Sequence, residues 1–195
     1  MLRTRELIPG RAVRLVPKKA LVVPMIAIGF LGSLMLVASA GNAQETRTAA
    51  SMAALQDKTA KLGAPKIEGT DEVGGKSVPV LYFGSTKMNN NFTIVDEIGK
   101  EDPGMNATLF VKAGVEQARG TVSEEYIRVA TTVRLPDTRR AVGTALGSPA
   151  LESIRAGEPY YGEVDVLGKA YITRYEPIKD ASGETIGAYF VGYKK

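Results

Sequence analysis

The amino-acid sequence predicts an α+β domain, a twisted antiparallel sheet with helices laid over it, and three observations support that expectation. Between Tyr126 and Tyr193 lie four segments rich in Val, Ile, Thr, Tyr and Phe: 126–133, 139–147, 159–178 and 184–193. Each is bounded by Gly, Pro, Asp or Ser. That composition belongs to short strands joined by tight turns. Secondly, Asp180-Ala-Ser-Gly183 falls between two such runs, where a hairpin needs small residues and a glycine tolerant of positive φ. Thirdly, stretches with helical patterning lie outside the strand runs, and helices covering one side of an antiparallel sheet define the α+β class.

Taken in order, the chain begins with Arg3, Arg5, Arg11, Arg14, Lys18 and Lys19 against a single acid, Glu6. An apolar run over 20–37 follows, then Ala38-Ser39-Ala40 and Gly41-Asn42-Ala43. A basic flank, an apolar segment and small residues in an A-x-A pattern describe a secretory signal, with cleavage after Ala40 or Ala43. The run is also long enough to read as a retained anchor, although Pro24, Gly29 and Gly32 interrupt it. Both readings of residues 1–43 place the rest outside the cytoplasmic membrane, because the positive flank stays inside. The expected location is periplasmic or extracellular.

Glu45 to Leu62 has no Pro or Gly until Gly63. It places Ala49, Met52, Ala53 and Leu55 at helical spacing, so it is expected to be an amphipathic covering helix. Residues 64–77, polar and glycine-bearing, read as a loop. Val78–Phe83 is a strand whose Pro79 points to an edge or a strand start. Val95–Ile98 fits a helical turn closed by Gly99. Met105–Lys112 alternates as a strand, with Ala107, Leu109 and Val111 on one face. Pro149–Ala156 fits a helix with Ser148 as N-cap, Pro149 at its first position and Gly157 as its stop. The organisation expected is 1–43 for export or anchoring, 44–77 for helix and loop, and 78–195 for one domain.

Composition narrows the function. The whole chain has 25 Lys+Arg against 21 Asp+Glu. Taking away the six basic residues and one acid of residues 1–43 leaves 19 basic against 20 acidic. The basic character therefore belongs to the export segment, and nucleic-acid binding loses its support. With no Cys and no His there is no disulfide framework, no Cys/His or Ser/His/Asp arrangement and no usual transition-metal cluster. The adjacent acids Asp96-Glu97, Glu101-Asp102 and Glu124-Glu125 read as solvated. No catalytic group and no cofactor is expected.

Binding has more behind it. A period of two sends Arg128, Ala130 and Thr132 to one face of 126–133, and Ile127, Val129, Thr131 and Val133 to the other, which is core. In 169–176, Lys169, Tyr171, Thr173 and Tyr175 share a face of apolar bodies with hydrogen-bonding tips. Facing Arg128 and Arg140, that row would make an apolar cleft with converging polar groups, the usual form of a small-molecule site. A guanidinium fork matches a carboxylate with two parallel hydrogen bonds. Plainer readings stand beside this. Arg128 pairs with Glu124, Glu163 or Asp165 at a rim, and the tyrosines are core with wet tips. Arg139 is the solvated member of its pair and Arg140 the inward one. Gly143, Gly162 and Gly168 serve turns or bulges, since no phosphate-binding glycine pattern is present.

The order of motifs carries a resemblance. R-V-x-T-T-V from Arg128, R-A-V-G-T from Arg140, P-Y-Y-G-E-V-D-V-L-G-K-A-Y-I-T-R-Y-E-P-I from Pro159 and a G-E-x-I-G-A-Y-F-V-G ending resemble a Cache domain. The likeness is to the single Cache 3 type found as the sensing domain of bacterial methyl-accepting chemotaxis proteins. It starts near Val80 and runs to the C-terminus. One departure is Pro136-Asp137-Thr138-Arg139, where such domains often carry Asp-Gly. The resemblance implies a PAS-like sheet with a long N-terminal helix, and a small metabolite, often a short carboxylic acid, held between sheet and loops. Position by position it nominates Arg128, Arg140, Tyr161, Tyr171 and Thr173 as ligand-binding residues. Because the chain ends at Lys195, directly after the last strand, the expectation is an exported stand-alone sensor with a carboxylate-like ligand. The alternative is an interaction module that docks on a membrane receptor without a small ligand.

Overall fold

The computed structural model describes residues 32–116 and 122–195. The basic flank and the apolar run as far as residue 31 lie outside these, so the choice between signal and anchor remains an expectation. The first helix, α1 (Gly32–Ala60), runs through both expected cleavage points. No helix among the described residues is long and apolar enough to cross a membrane.

Five strands form the main sheet, antiparallel throughout. They are β4 (Met105–Glu116), β5 (Val122–Thr131), β6 (Tyr160–Asp165), β7 (Ala170–Lys179) and β8 (Thr185–Lys194), ordered β5-β4-β8-β7-β6. Its hairpin turns follow from local chemistry. At the β7–β8 turn the Asp180 carboxylate accepts bonds from the Ser182 and Glu184 amides, and Gly183 has φ +86°. At the β6–β7 turn Leu167 and Gly168 both take positive φ, as a two-residue hairpin loop requires.

A second sheet contains β1 (Pro65–Val73), β2 (Lys76–Phe83) and the two-residue β3 (Thr86–Lys87). Here the sequence reading needs correction, because residues 64–77 are a β-hairpin. Strand β1 is an exposed edge, bulged between Ile67 and Thr70, so it lacks the apolar alternation by which strands are recognised. The missed signal was Gly74-Gly75, a two-residue turn with φ of +58° and +79°. Pro79 is accommodated because β3 pairs only with Tyr82 and Phe83, leaving β2 one strand neighbour at the proline.

One face of the main sheet packs against α1, the helix α2 (Thr93–Glu101) and the small sheet. The core there includes Met52, Leu55, Leu81, Phe83, Ile98, Leu109, Val111, Ile127 and Val191. Helix α1 buries Thr48, Ser51, Met52, Leu55 and Thr59, whereas Ala53 is exposed. Its inward face is thus half polar. Thr59 Oγ1 lies 3.1 Å from the Tyr189 hydroxyl, whose pKa burial pushes up to about 12. Helix α2 runs past Gly99, so that residue does not close it. The acids read as solvated are ion-paired. Asp96 pairs with Arg140, Glu97 and Glu101 with Lys58, Asp102 with Arg47, and Glu124 with Lys112.

On the opposite face a second core gathers Phe110, Tyr126, Tyr171, Tyr175 and Phe190 under Val133, Ala141, Leu146, Ala150 and Ile154. The cover is the irregular segment 132–149 and the short helix α3 (Ala150–Arg155). Residues 139–147, read as strand-like, are not a strand. They run along the edge of β5 through the Gly143 amide on Arg128 O, the Arg128 amide on Thr144 O and the Leu146 amide on Tyr126 O. Helix α3 starts one residue later than expected. Pro149 occupies the N-cap place, and the Ser148 hydroxyl caps no backbone N–H.

Two expected outcomes follow. The β1–β2 turn abuts the cover: a Cβ on Gly143 (φ +79°) would lie 2.8 Å from Gly74 Cα, and one on Gly74 would lie 2.5 Å from Val142 O. Gly143→Ala should destabilise by about 1–3 kcal/mol in urea unfolding, combining positive-φ strain with a backbone clash. The second concerns acid. The Asp102 carboxylate accepts bonds from Arg47 and, at 2.9 Å, from Ser51, and these hold its pKa below the ordinary value. A depressed folded pKa gives stability that is complete above the unfolded value, about 4, and is lost as pH falls through the folded one. Asp102→Asn should therefore flatten the loss of stability between neutral pH and pH ~3.

Candidate functional site

Arg128 is the unusual residue. It is 3 % exposed, on a central stretch of β5, and faces the aromatic core. A β-bulge follows it directly. Leu109 pairs with Ala130 and Phe110 with Arg128, so Val129 is an extra residue, and its carbonyl accepts the Asn90 amide at 2.8 Å. The bulge breaks the alternation expected for this strand. Ala130 joins Ile127 and Val129 in the first core, while Thr131 shares the Arg128 side, 2.6 Å from the Thr108 hydroxyl.

The guanidinium stacks on the Phe110 ring, 4.9 Å from its centroid. Its Nη1 donates to Thr144 Oγ1 at 2.6 Å and weakly to Ala145 O at 3.4 Å. The Thr144 hydroxyl spends its own proton on Ala141 O at 2.7 Å, so toward Arg128 it can only accept. Arg128 Nε is buried without a hydrogen-bond partner. Desolvation lowers the pKa of the group. An arginine nevertheless stays charged at any ordinary pH. The expected rim partners are all committed elsewhere. Glu124 goes to Lys112, Glu163 to Lys195 at 2.8 Å, and Asp165 to the Gly168 amide. Among the described residues this is a buried cation with no anion.

Of the residues nominated from sequence, the fold brings Arg128, Tyr171 and Thr173 to one face. Thr173 is fully buried and donates to Gly162 O at 2.8 Å. Tyr161 lies on the other side. It pairs with Arg174 across β6–β7, stacks against that guanidinium and is 37 % exposed. Its neighbour Tyr160 is the one that reaches the face, edge-on to Tyr175 at 6.2 Å. The register Gly162–Thr173 fixes this alternation, and the motif alone could not.

Arg140 is inward and Arg139 outward, as read, but Arg140 does not join Arg128. It grips Asp96 at 2.7 and 2.9 Å, donates to Thr131 O at 2.8 Å and stacks 4.2 Å from the Phe92 centroid, fastening the cover to α2. A cleft of about 520 Å³ beside it is lined by Phe92, Leu135, Arg139, Arg140, Val142, Gly143, Thr144 and Gly74. Both arginines there are neutralised, Arg139 by Asp137. Phe110, Tyr175 and Thr144 also belong to the Arg128 site and were not nominated. Tyr175 was legible as a member of the row 169–175, whereas Phe110 and Thr144 come from segments distant in sequence.

The chain as a whole belongs to the Cache 3/Cache 2 fusion domain family, which matches residues 33–195. That match takes in α1 and the small sheet as well as the segments that carried the resemblance. The fold is accordingly the PAS-like α+β domain of Cache proteins, a family of extracytoplasmic domains that sense small molecules rather than catalyse. No curated protein and no solved structure matches the chain.

The two arginines should respond oppositely to substitution. Arg128→Met removes an uncompensated buried charge and should leave the midpoint of urea unfolding unchanged or raised. Arg140→Met strands Asp96 and should cost about 1–3 kcal/mol.

Proposed function

We propose that the domain binds a small metabolite bearing a carboxylate, held by Arg128 with Tyr171, Thr173 and Tyr175 on the aromatic face, in a sensing role outside the cytoplasmic membrane. The observation that supports this is the buried Arg128 guanidinium with no anion among the described residues and an unsatisfied Nε. Folding gains little from such a charge, since the desolvation cost of a buried ion is recovered only with good pairing. A carboxylate would supply the missing charge and lone pairs. Burial raises the Tyr175 pKa, so its hydroxyl stays a neutral donor for the same anion. The cover is built mainly from an irregular segment, and in this reading the ligand's oxygens replace Thr144 Oγ1 and Ala145 O as partners of Nη1.

A second reading has one observation in its favour. The rings of Tyr175 and Phe190 pack 4.9 Å apart, and those of Phe110 and Tyr175 6.3 Å apart, filling the face as a core would. That suits an interaction module docking on a membrane receptor.

A thermal-shift screen against short mono- and dicarboxylates, amino acids and nitrogenous metabolites separates the two. A ligand at a hundred times its Kd adds about 2.7 kcal/mol, a rise in Tm of roughly 5–10 °C for a domain of this size. A carboxylate hit is expected and should vanish in Arg128→Ala. A folded protein with no hit transfers the weight to the docking module.

A further inference from the structure

We infer that the ligand of the Arg128 site carries a single negative charge on an apolar body, with no ammonium group and no second carboxylate; this rests on the carboxylate reading above. Phe110 lies under the guanidinium, and Thr144 and Ala145 lie beside it. Among the described residues, no Asp or Glu carboxylate forms an ion pair or hydrogen bond with Arg128, whose Nη1 goes to Thr144 and Ala145 and whose Nε has no partner. An amino acid would bring its ammonium within a few ångströms of the carboxylate that Arg128 holds. There it would meet the like charge of the guanidinium, with no acid among the described residues paired to that group to neutralise it. A buried charge left unpaired weakens binding strongly.

The same reasoning excludes a second carboxylate. A dicarboxylate needs a second cation, and two basic groups on the elements around Arg128 are engaged within the protein. Arg140 is held by Asp96, and Lys112 by Glu124 and Glu184. One positive charge in an aromatic setting selects one negative charge. The cluster that holds Phe110 also contains Tyr175 and Phe190, an apolar setting that rewards an apolar body.

Isothermal titration of the full chain with matched carbon skeletons of three to six carbons provides the test. Each length is represented by the straight-chain monocarboxylate, its 2-amino derivative and its terminal dicarboxylate. The expected result is that one or more monocarboxylates bind, while the partners of the same length are at least about a hundredfold weaker. All measurable binding should disappear in Arg128→Met. Arg128→Gln, which keeps hydrogen-bonding capacity without charge, serves as a second variant whose folding is checked by its thermal melt. An amino acid or dicarboxylate that binds as tightly as its monocarboxylate, and is lost in both variants, overturns the inference while keeping Arg128 as the anchor. If no carboxylate of any class binds, or binding survives both variants, the carboxylate reading falls and the inference with it.

Discussion

One extra residue in β5 shapes the aromatic face of this domain. Without the bulge at Val129, regular pairing would carry Ala130 beside Arg128 and turn Thr131 toward the helices. With it, the strand twists, the Val129 carbonyl is released to Asn90, and Thr131 meets Thr108 on the aromatic side. The Thr131 backbone then offers its oxygen to Arg140, whose other bonds fasten α2. The placing of Thr131 beside the buried charge and the attachment of the cover thus descend from the same irregularity.

The two faces of the sheet are built on different principles. The face under α1 is mainly aliphatic, and its charged groups are ion-paired: Asp102 with Arg47, and Arg174 with Glu45 and Glu176. The opposite face is aromatic, covered by irregular backbone, and holds an unmatched guanidinium. A domain that only needed stability would have little reason for the second arrangement, because an apolar residue of similar volume is often at least as stable as a buried charge. Sites of function are where such local inconsistency is expected.

Arg128 and Arg140 lie twelve positions apart in similar-looking motifs, and the fold gives them contrary tasks. Arg140 has its carboxylate within the protein and so acts as a fastener between cover and α2. Arg128 lacks one among the described residues, and its Nε stays without a partner. The distinction is one of partner geometry. Residue type and motif position are the same kind of evidence for both, which is why the sequence nominated them together. Tyr160 and Tyr161 illustrate the same limit at a smaller scale, since adjacent residues of identical type are sent to opposite faces by the pairing register.

The amino-acid sequence determined the α+β class, the strand-forming stretches of β4, β5 and β8, the turn at Asp180–Gly183 and the Cache family, because each rests on short-range periodicity or on motif order; it read β6 and β7 as one segment. It also singled out Arg128 as a cation in an apolar strand. The hairpin of β1 and β2 escaped it, since an exposed, bulged edge strand has no apolar alternation to read. Only the tertiary structure decided that 139–147 edges β5 as irregular backbone, that Asp96 takes Arg140, and that no acid reaches Arg128 among the described residues. Those facts depend on which distant segments meet. A charge is matched or unmatched only once the chain has folded around it.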